Sequence, residues 1–335
     1  MDKTLQRIKL CVRTLTAAFL LAFAAGTWAG PRTIFIVESY HEGMAWDHDY
    51  KQALKLRLAD RYRFTGTALD TKRLPEFRHR EMANRALAQI REQRPALVVL
   101  GDDAALRLVG PDLDKMGIPG VYLGINNNPR AYGPFRNITG VLERPLMKRN
   151  TVLVREMLPD IQKILVLFDR NEASRVIFQE SFSGQSSYSI GGVRVELKMV
   201  DSFERWQLAV SGAARDGYGA IVAGLYQSLL GRDGQVADEN QVIAWTSANT
   251  PVPLFGFWDF QVGADKAIGG LVLNATHQGE AAARLIEQIL EHGTAPAAIF
   301  PYTAPQGEYL FSRSQLKRFK LQLPADVAPR AHFVG

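Results

Sequence analysis

A single cysteine, Cys11, stands in the whole chain of 335 residues, and it precedes the first apolar run. That position excludes a disulfide framework and a thiolate metal site in the main body. It also excludes a lipid-attachment cysteine, which would follow the apolar run of an export signal. Stability must therefore come from core packing, for which about 300 residues suffice. Catalytic signatures are missing as well. The chain has no H-E-x-x-H, no G-x-S-x-G, no P-loop and no G-x-G-x-x-G, so the chemistries those motifs serve are not expected. Ser314 and Lys317 match S-x-x-K without its companion motifs. The six histidines are scattered, and His41 and His48 with Glu42 or Asp47 make only a weak metal set. No cofactor, no metal and no enzyme activity are expected. Blocks of one charge are missing too. The formal charge is +6, and residues 1–29 supply +3 of it. The rest is spread thinly, which argues against nucleic acid as a partner.

What the chain does have begins at its N-terminus. Lys3, Arg7, Lys9 and Arg13 form a positive region, followed by an apolar stretch over 15–25 and small residues at Thr27 and Ala29. This reads as a signal peptide over 1–29, cleaved after Ala29, with an uncleaved anchor as the alternative. The stretch is short for a bilayer span, which needs about 20 apolar residues. Export to the periplasm is expected.

Short apolar runs then alternate with amphipathic stretches. Residues 33–37 (TIFIV), 96–100 (ALVVL), 120–123, 164–168 (ILVLF), 220–223 and 252–257 read as buried strands. Tyr50, Leu54, Leu58 and Tyr62 recur at helical spacing, as do Ala282, Leu285, Ile286 and Ile289 before Gly293. Strands separated by helices predict an α/β protein with parallel sheets covered on both faces. The pattern runs through two halves with a break near 139–145 and no long linker. Two parallel-sheet lobes joined by several short crossovers follow, and with them a hinged cleft; crossovers are expected near 139–145, 257–262 and 290–298. The expected partition is 30–143 plus about 260–294 in one lobe, and 144–259 plus about 295–335 in the other.

Ligands in such sheets sit beyond the carboxyl ends of the strands, and that rule ranks the polar residues. The first strand runs into Ser39, Tyr40, His41 and Trp46, an aromatic wall with orienting groups or, alternatively, packing and a helix cap. The second ends at Asp102, which can hold an ammonium or cap the next helix. The third ends at Asn126, a donor and acceptor that also suits a turn. In the second half the equivalents are Asp169, Tyr226, Trp258 and Asp259. Trp258 with Asp259 pairs a flat apolar face with a carboxylate, as an amine-bearing ligand needs, or is a core Trp beside a surface Asp.

Several local segments carry a resemblance. They are Ser39-Tyr40-His41-Glu42-Gly43 with Trp46, Asp70-Thr71-Lys72-Arg73, Gly101-Asp102-Asp103-Ala104-Ala105, Gly124-Ile125-Asn126-Asn127, Thr139-Gly140-Val141 with Glu143, Leu158-Pro159, Gly269-Gly270 and Gln278-Gly279-Glu280-Ala281-Ala282. In this order the chain resembles the ABC-transporter substrate-binding proteins related to the tryptophan/tyrosine transport component, and similar extracytoplasmic sensor domains. The resemblance implies a type I periplasmic binding fold, two parallel-sheet lobes hinged by three crossovers, and a small organic ligand, amino acid-like among the options, clamped between the lobes. Residues 169–190 depart from it by lacking a Thr-Gly-rich turn after their strand. The expected function is capture of a small solute by a monomer and delivery to an ABC permease. The alternative is a ligand-sensing subunit for a membrane sensor kinase or cyclic-dinucleotide enzyme.

Overall fold

The computed structural model describes residues 32–304 and 307–335; the expected signal peptide and its cleavage point lie outside them. The apolar runs form strands, and alternation along each strand serves two cores at once. In β1 (Arg32–Glu38), Ile34 and Ile36 face one core while Phe35 and Val37 face another. With β2 (Tyr62–Ala68), β3 (Leu97–Gly101), β4 (Gly120–Ile125), β5 (Ile138–Leu142) and β12 (Tyr302–Thr303) it builds a six-stranded sheet in the order β12-β5-β4-β3-β1-β2. Strands β1, β3, β4, β5 and β12 run parallel.

The helices α1 (Ala45–Leu58), α2 (Glu76–Gln93) and α3 (Asp102–Lys115) belong to this first lobe. The later helix α8 (Ala275–Leu290) returns to pack on α1. Gly279 permits that approach, because a Cβ there would lie 2.5 Å from the Tyr50 carbonyl oxygen.

The second sheet has the order β10-β9-β6-β8-β7. Its strands are β6 (Lys163–Phe168), β7 (Ser187–Ile190), β8 (Val193–Met199), β9 (Ala220–Ala223) and β10 (Leu254–Gly256), all parallel except β7, which is antiparallel to β8. The helices α4 (Met147–Met157), α5 (Glu172–Glu180), α6 (Phe203–Ser211) and α7 (Glu239–Asn249) accompany it. Leu165 and Leu167 join the core beneath Trp206, while Ile164, Val166 and Phe168 face the core on the opposite side.

The α/β class, the parallel sheets and the two-lobed plan are as expected from the sequence. The tail is divided more finely. Tyr302–Thr303, beyond the crossover expected near 290–298, pairs with β5 in the first sheet. Beyond it, β13 (Glu308–Ser312) and β14 (His332–Val334) join β11 (Gly269–Val272) in a small third sheet. Helix α9 (Arg313–Arg318) ties that sheet to α7, with Gln315 and Arg318 donating to Ser247. Among the described residues no helix is long and apolar enough to cross a membrane.

Candidate ligand-binding cleft

The carboxyl ends of β1, β3, β4 and β5 face those of β6 and β9 across a cleft. At its inner end lies a cavity of about 20 Å³, lined by Tyr40, Trp46, Lys72, Asp102, Asn126, Glu143 and Trp258 among others. Its mouth is a larger chamber of about 690 Å³. Tyr40, Lys72 and Ala173 border both.

Backbone conformation aims Asp102 at this place. The residue opens α3 with φ +68°, a left-handed geometry uncommon outside glycine. Its carboxylate therefore does not cap its own helix. Ser39 does that work from another strand: its Oγ accepts from the Ala105 amide at 2.8 Å and donates to the Gly101 carbonyl at 2.5 Å. Asp102 instead accepts from the Tyr40 hydroxyl at 3.2 Å and from Trp46 Nε1 at 3.1 Å. Gly124, with φ +71°, closes over it, and a Cβ there would sit 3.3 Å from the carboxylate. Asp103 is structural by contrast, accepting from the Asn126 and Asn127 amides and the Tyr132 hydroxyl.

The second acidic group is Glu143, one residue past β5. Its Oε1 accepts from Trp258 Nε1 at 3.0 Å and from Asn126 Nδ2 at 3.3 Å. Asn126 Nδ2 also reaches the Gly124 carbonyl, which fixes the amide's orientation. Two acceptors are left over. Glu143 Oε2 and Asn126 Oδ1 are buried with no partner. Burial pushes the Glu143 carboxyl up to about 8, against the downward pull of Trp258 and Asn126. Burial, then the neighbouring Glu143 and Asp103, raises Asp102 well above the usual carboxylate range. Behind this pair, Asp47 is fully buried with neither oxygen bonded, and burial raises it as well.

The apolar side of the cavity comes from Trp46, Met44, Leu225, Phe260 and Trp258. Trp258 is nearly fully buried, edge-on to Phe168 and Phe257 and stacked on Phe260 at 6.2 Å. Across the mouth, Arg107 of α3 forms a bidentate pair with Glu172 of α5 at 2.5 and 2.7 Å.

Of the residues singled out in the sequence, Tyr40, Trp46, Asp102, Asn126 and Trp258 line the inner cavity. Five do not. Ser39 is consumed at the start of α3. His41 accepts from the Gly43 amide and borders a separate surface pocket. Asp169 is saturated by Asn171, Ser174 and Ser228. Tyr226 packs edge-on to Trp206 in the second-lobe core, while its neighbour Leu225 reaches the cavity. Asp259 accepts from the Phe260 amide beside the cavity, and burial raises it to about 7. Glu143 and Lys72 were not among the candidate site residues. Glu143 follows a strand end and was legible by the rule used for the others. Lys72 follows no sheet strand end of that kind, and only its segment's resemblance marked it. Among the described residues no group of three or more His, Asp or Glu could hold a metal ion.

Two lobes of parallel sheet with a buried polar and aromatic cavity between their strand ends define a solute-binding protein of the two-lobed periplasmic type. The model of the ABC transporter substrate binding protein family matches residues 120–334, and the chain belongs to that family. Solved structures agree in fold. An ABC domain from Streptococcus pneumonia in complex with L-Trp superposes with a TM-score of 0.66 at 15% identity, covering 91% of this chain and 100% of that one. A conserved domain protein from Vibrio cholerae gives 0.65 at 15% identity, with the same coverage. A ligand-free, open substrate binding protein with adhesive properties from Clostridium difficile gives 0.62 at 12% identity, covering 90% and 99%. Among curated proteins no sequence relative matches. The family that the chain matches is one of substrate-binding proteins.

Proposed function

We propose that this protein captures a small organic solute bearing a protonated amine outside the cytoplasm, and presents it to an ABC permease. One observation carries the ligand chemistry: Glu143 Oε2 and Asn126 Oδ1 are buried, unpartnered and lining one cavity. An unsatisfied buried acceptor costs about 1–3 kcal/mol, and an ammonium supplies the missing donors. Asp102, on the same cavity, is a second buried carboxyl whose ionised form a cation there favours. Trp46 and Trp258 wall the ammonium's end of the cleft with aromatic surface, and Tyr40, which borders the outer chamber too, offers a π face to the ligand's carbon frame.

The lobes in this reading are 32–143 with 275–304, and 147–256 with the third sheet attached. Closure of one on the other buries the ligand and makes the shape that a permease reads. The family match favours transport over the sensor alternative. The L-Trp complex of a structural relative makes aromatic amino acids reasonable first probes.

A thermal-shift screen with primary amines, amino acids, neutral sugars and simple carboxylates tests the reading. A ligand at 100 times its dissociation constant adds about 2.7 kcal/mol to stability. Stabilisation confined to amine-bearing compounds is expected. Stabilisation by sugars or amine-free carboxylates alone overturns the ligand class.

A further inference from the structure

The cleft holds an unsatisfied donor as well as unsatisfied acceptors. Lys72 is only 8% exposed, at the junction of the inner cavity and the outer chamber. Its ammonium lies 3.9 Å from the centroid of the Tyr40 ring. Among the described residues it makes no hydrogen bond or ion pair. Yet an ammonium has three donors, and a buried one without partners is costly.

The simplest account makes Lys72 a counter-ion for the buried acids. The geometry speaks against that account as the whole explanation. Asp102 has given its two oxygens to Tyr40 and Trp46. Asp169 has given its own to Asn171, Ser174 and Ser228. Burial lowers the lysine's affinity for its proton, and Asp169 and Asp102 offset that only in part; neither is in ion-pair contact with it. Of the arginines lining the chamber, Arg107 is already bidentate to Glu172 and Arg175 donates to the Arg170 carbonyl.

Size adds a second constraint. The inner cavity of about 20 Å³ is on the scale that holds a single water-sized group, roughly 10–15 Å³. It accepts one ammonium-sized group. The rest of any ligand must lie outward, past Lys72, toward the chamber of about 690 Å³.

We infer that Lys72 is a specificity-determining residue, whose ammonium receives a carboxylate of the same ligand molecule whose amine sits at Glu143 and Asn126. The ligand is then a zwitterion with its two charges on one side of a carbon frame, amine inward and carboxylate at the throat. This rests on the amine reading proposed above.

Matched pairs of compounds test it: L-leucine and isoamylamine, L-tryptophan and tryptamine, 6-aminohexanoate and pentylamine. Calorimetry measures each against the wild-type protein, Lys72→Met and Lys72→Arg. Wild type should bind at least one zwitterion ten or more times more tightly than its decarboxylated partner. Lys72→Met should erase that ratio by weakening the zwitterion and not the amine, and Lys72→Arg should restore part of it. A wild-type protein that binds the amines as well as the zwitterions overturns the role of Lys72 and leaves the amine reading standing. So does a Lys72→Met protein that weakens both members of a pair equally, which is the counter-ion account. Binding of neither member of any pair defeats the amine reading itself, and the inference with it. The wild-type ratio needs no variant, so poor folding of Lys72→Met does not spare the inference.

Discussion

The indole Nε1 of Trp258 donates to Glu143 Oε1 at 3.0 Å, across 115 residues of chain. Glu143 ends a strand of the first sheet and Trp258 follows a strand of the second, so one hydrogen bond spans the two lobes at the inner end of the cleft. It also orients the carboxylate, leaving Oε2 free toward the cavity.

Trp258 therefore has two separable roles. Replacing it by alanine removes the ring from its contacts with Phe168, Phe257 and Phe260, and large-to-small changes of this kind cost about 3–5 kcal/mol. Trp258→Ala should melt well below wild type and so report on the core. Trp258→Phe keeps an aromatic ring and deletes the donor. It should melt within a few degrees of wild type and bind an amine ligand about five- to tenfold more weakly, as measured by calorimetry and thermal melts on the same samples.

Glu143 makes stability depend on pH in a predictable direction. Below pH of about 4.5 its carboxyl is protonated in both folded and unfolded chains. As pH rises, the unfolded chain ionises first, while the folded protein holds the proton until about 8. Ligand-free stability is lost through that interval. Glu143→Gln should thus stabilise the ligand-free protein on the order of a few kcal/mol at pH 8 and hardly at all at pH 4.5. Denaturant melts at the two values check this, and an equal effect at both would contradict it.

The same carboxyl couples binding to proton release. An ammonium ligand selects the ionised form, which is a minority in the empty cleft below pH of about 8. Affinity should rise about tenfold from pH 6 to pH 7 and level off above 8, for an amine that stays protonated throughout. Calorimetry in buffers of different ionisation enthalpy should show about one proton released per ligand at pH 6.5. A flat profile with no buffer dependence would mean that Glu143 does not ionise on binding.

Much of this architecture was written in local patterns. Alternating strands such as 33–37 and 164–168, each followed by an amphipathic helix, sufficed for two parallel-sheet lobes. Of the residues at strand ends, Tyr40, Trp46, Asp102, Asn126 and Trp258 line one cavity. Others are turned away from it by tertiary detail. Asp169 and Asp102 both follow strands, yet one is saturated by the start of its own helix and the other is turned into the cleft by a left-handed backbone. Nothing in composition separates them. Tyr226 and Leu225 differ by one position and therefore by a face of the chain, so Leu225 lines the cavity while Tyr226 packs in the core. The departure at 169–190 corresponds to a short capped helix, α5, whose Asn171 side chain accepts from the Ser174 amide, in place of a glycine-rich turn.

Arg107 and Glu172 bridge the mouth of the cleft, each side chain about a third exposed. Partly exposed pairs contribute about 0–1 kcal/mol and weaken with salt. Arg107→Ala should therefore lower ligand affinity by less than about fivefold, with the difference shrinking in 0.5 M salt. Small-angle scattering should show a larger radius of gyration for the ligand-free variant than for ligand-free wild type. An unchanged radius would remove the pair as a closure contact.

The central claim is that an amine is held at Glu143. Its most direct test is calorimetric titration of wild type and Glu143→Gln at pH 8 with the best amine-bearing ligand from the screen. The account predicts one-to-one binding by wild type and at least a tenfold loss in Glu143→Gln, from a variant that melts at or above the wild-type temperature without ligand. Equal affinities in the two proteins would contradict it.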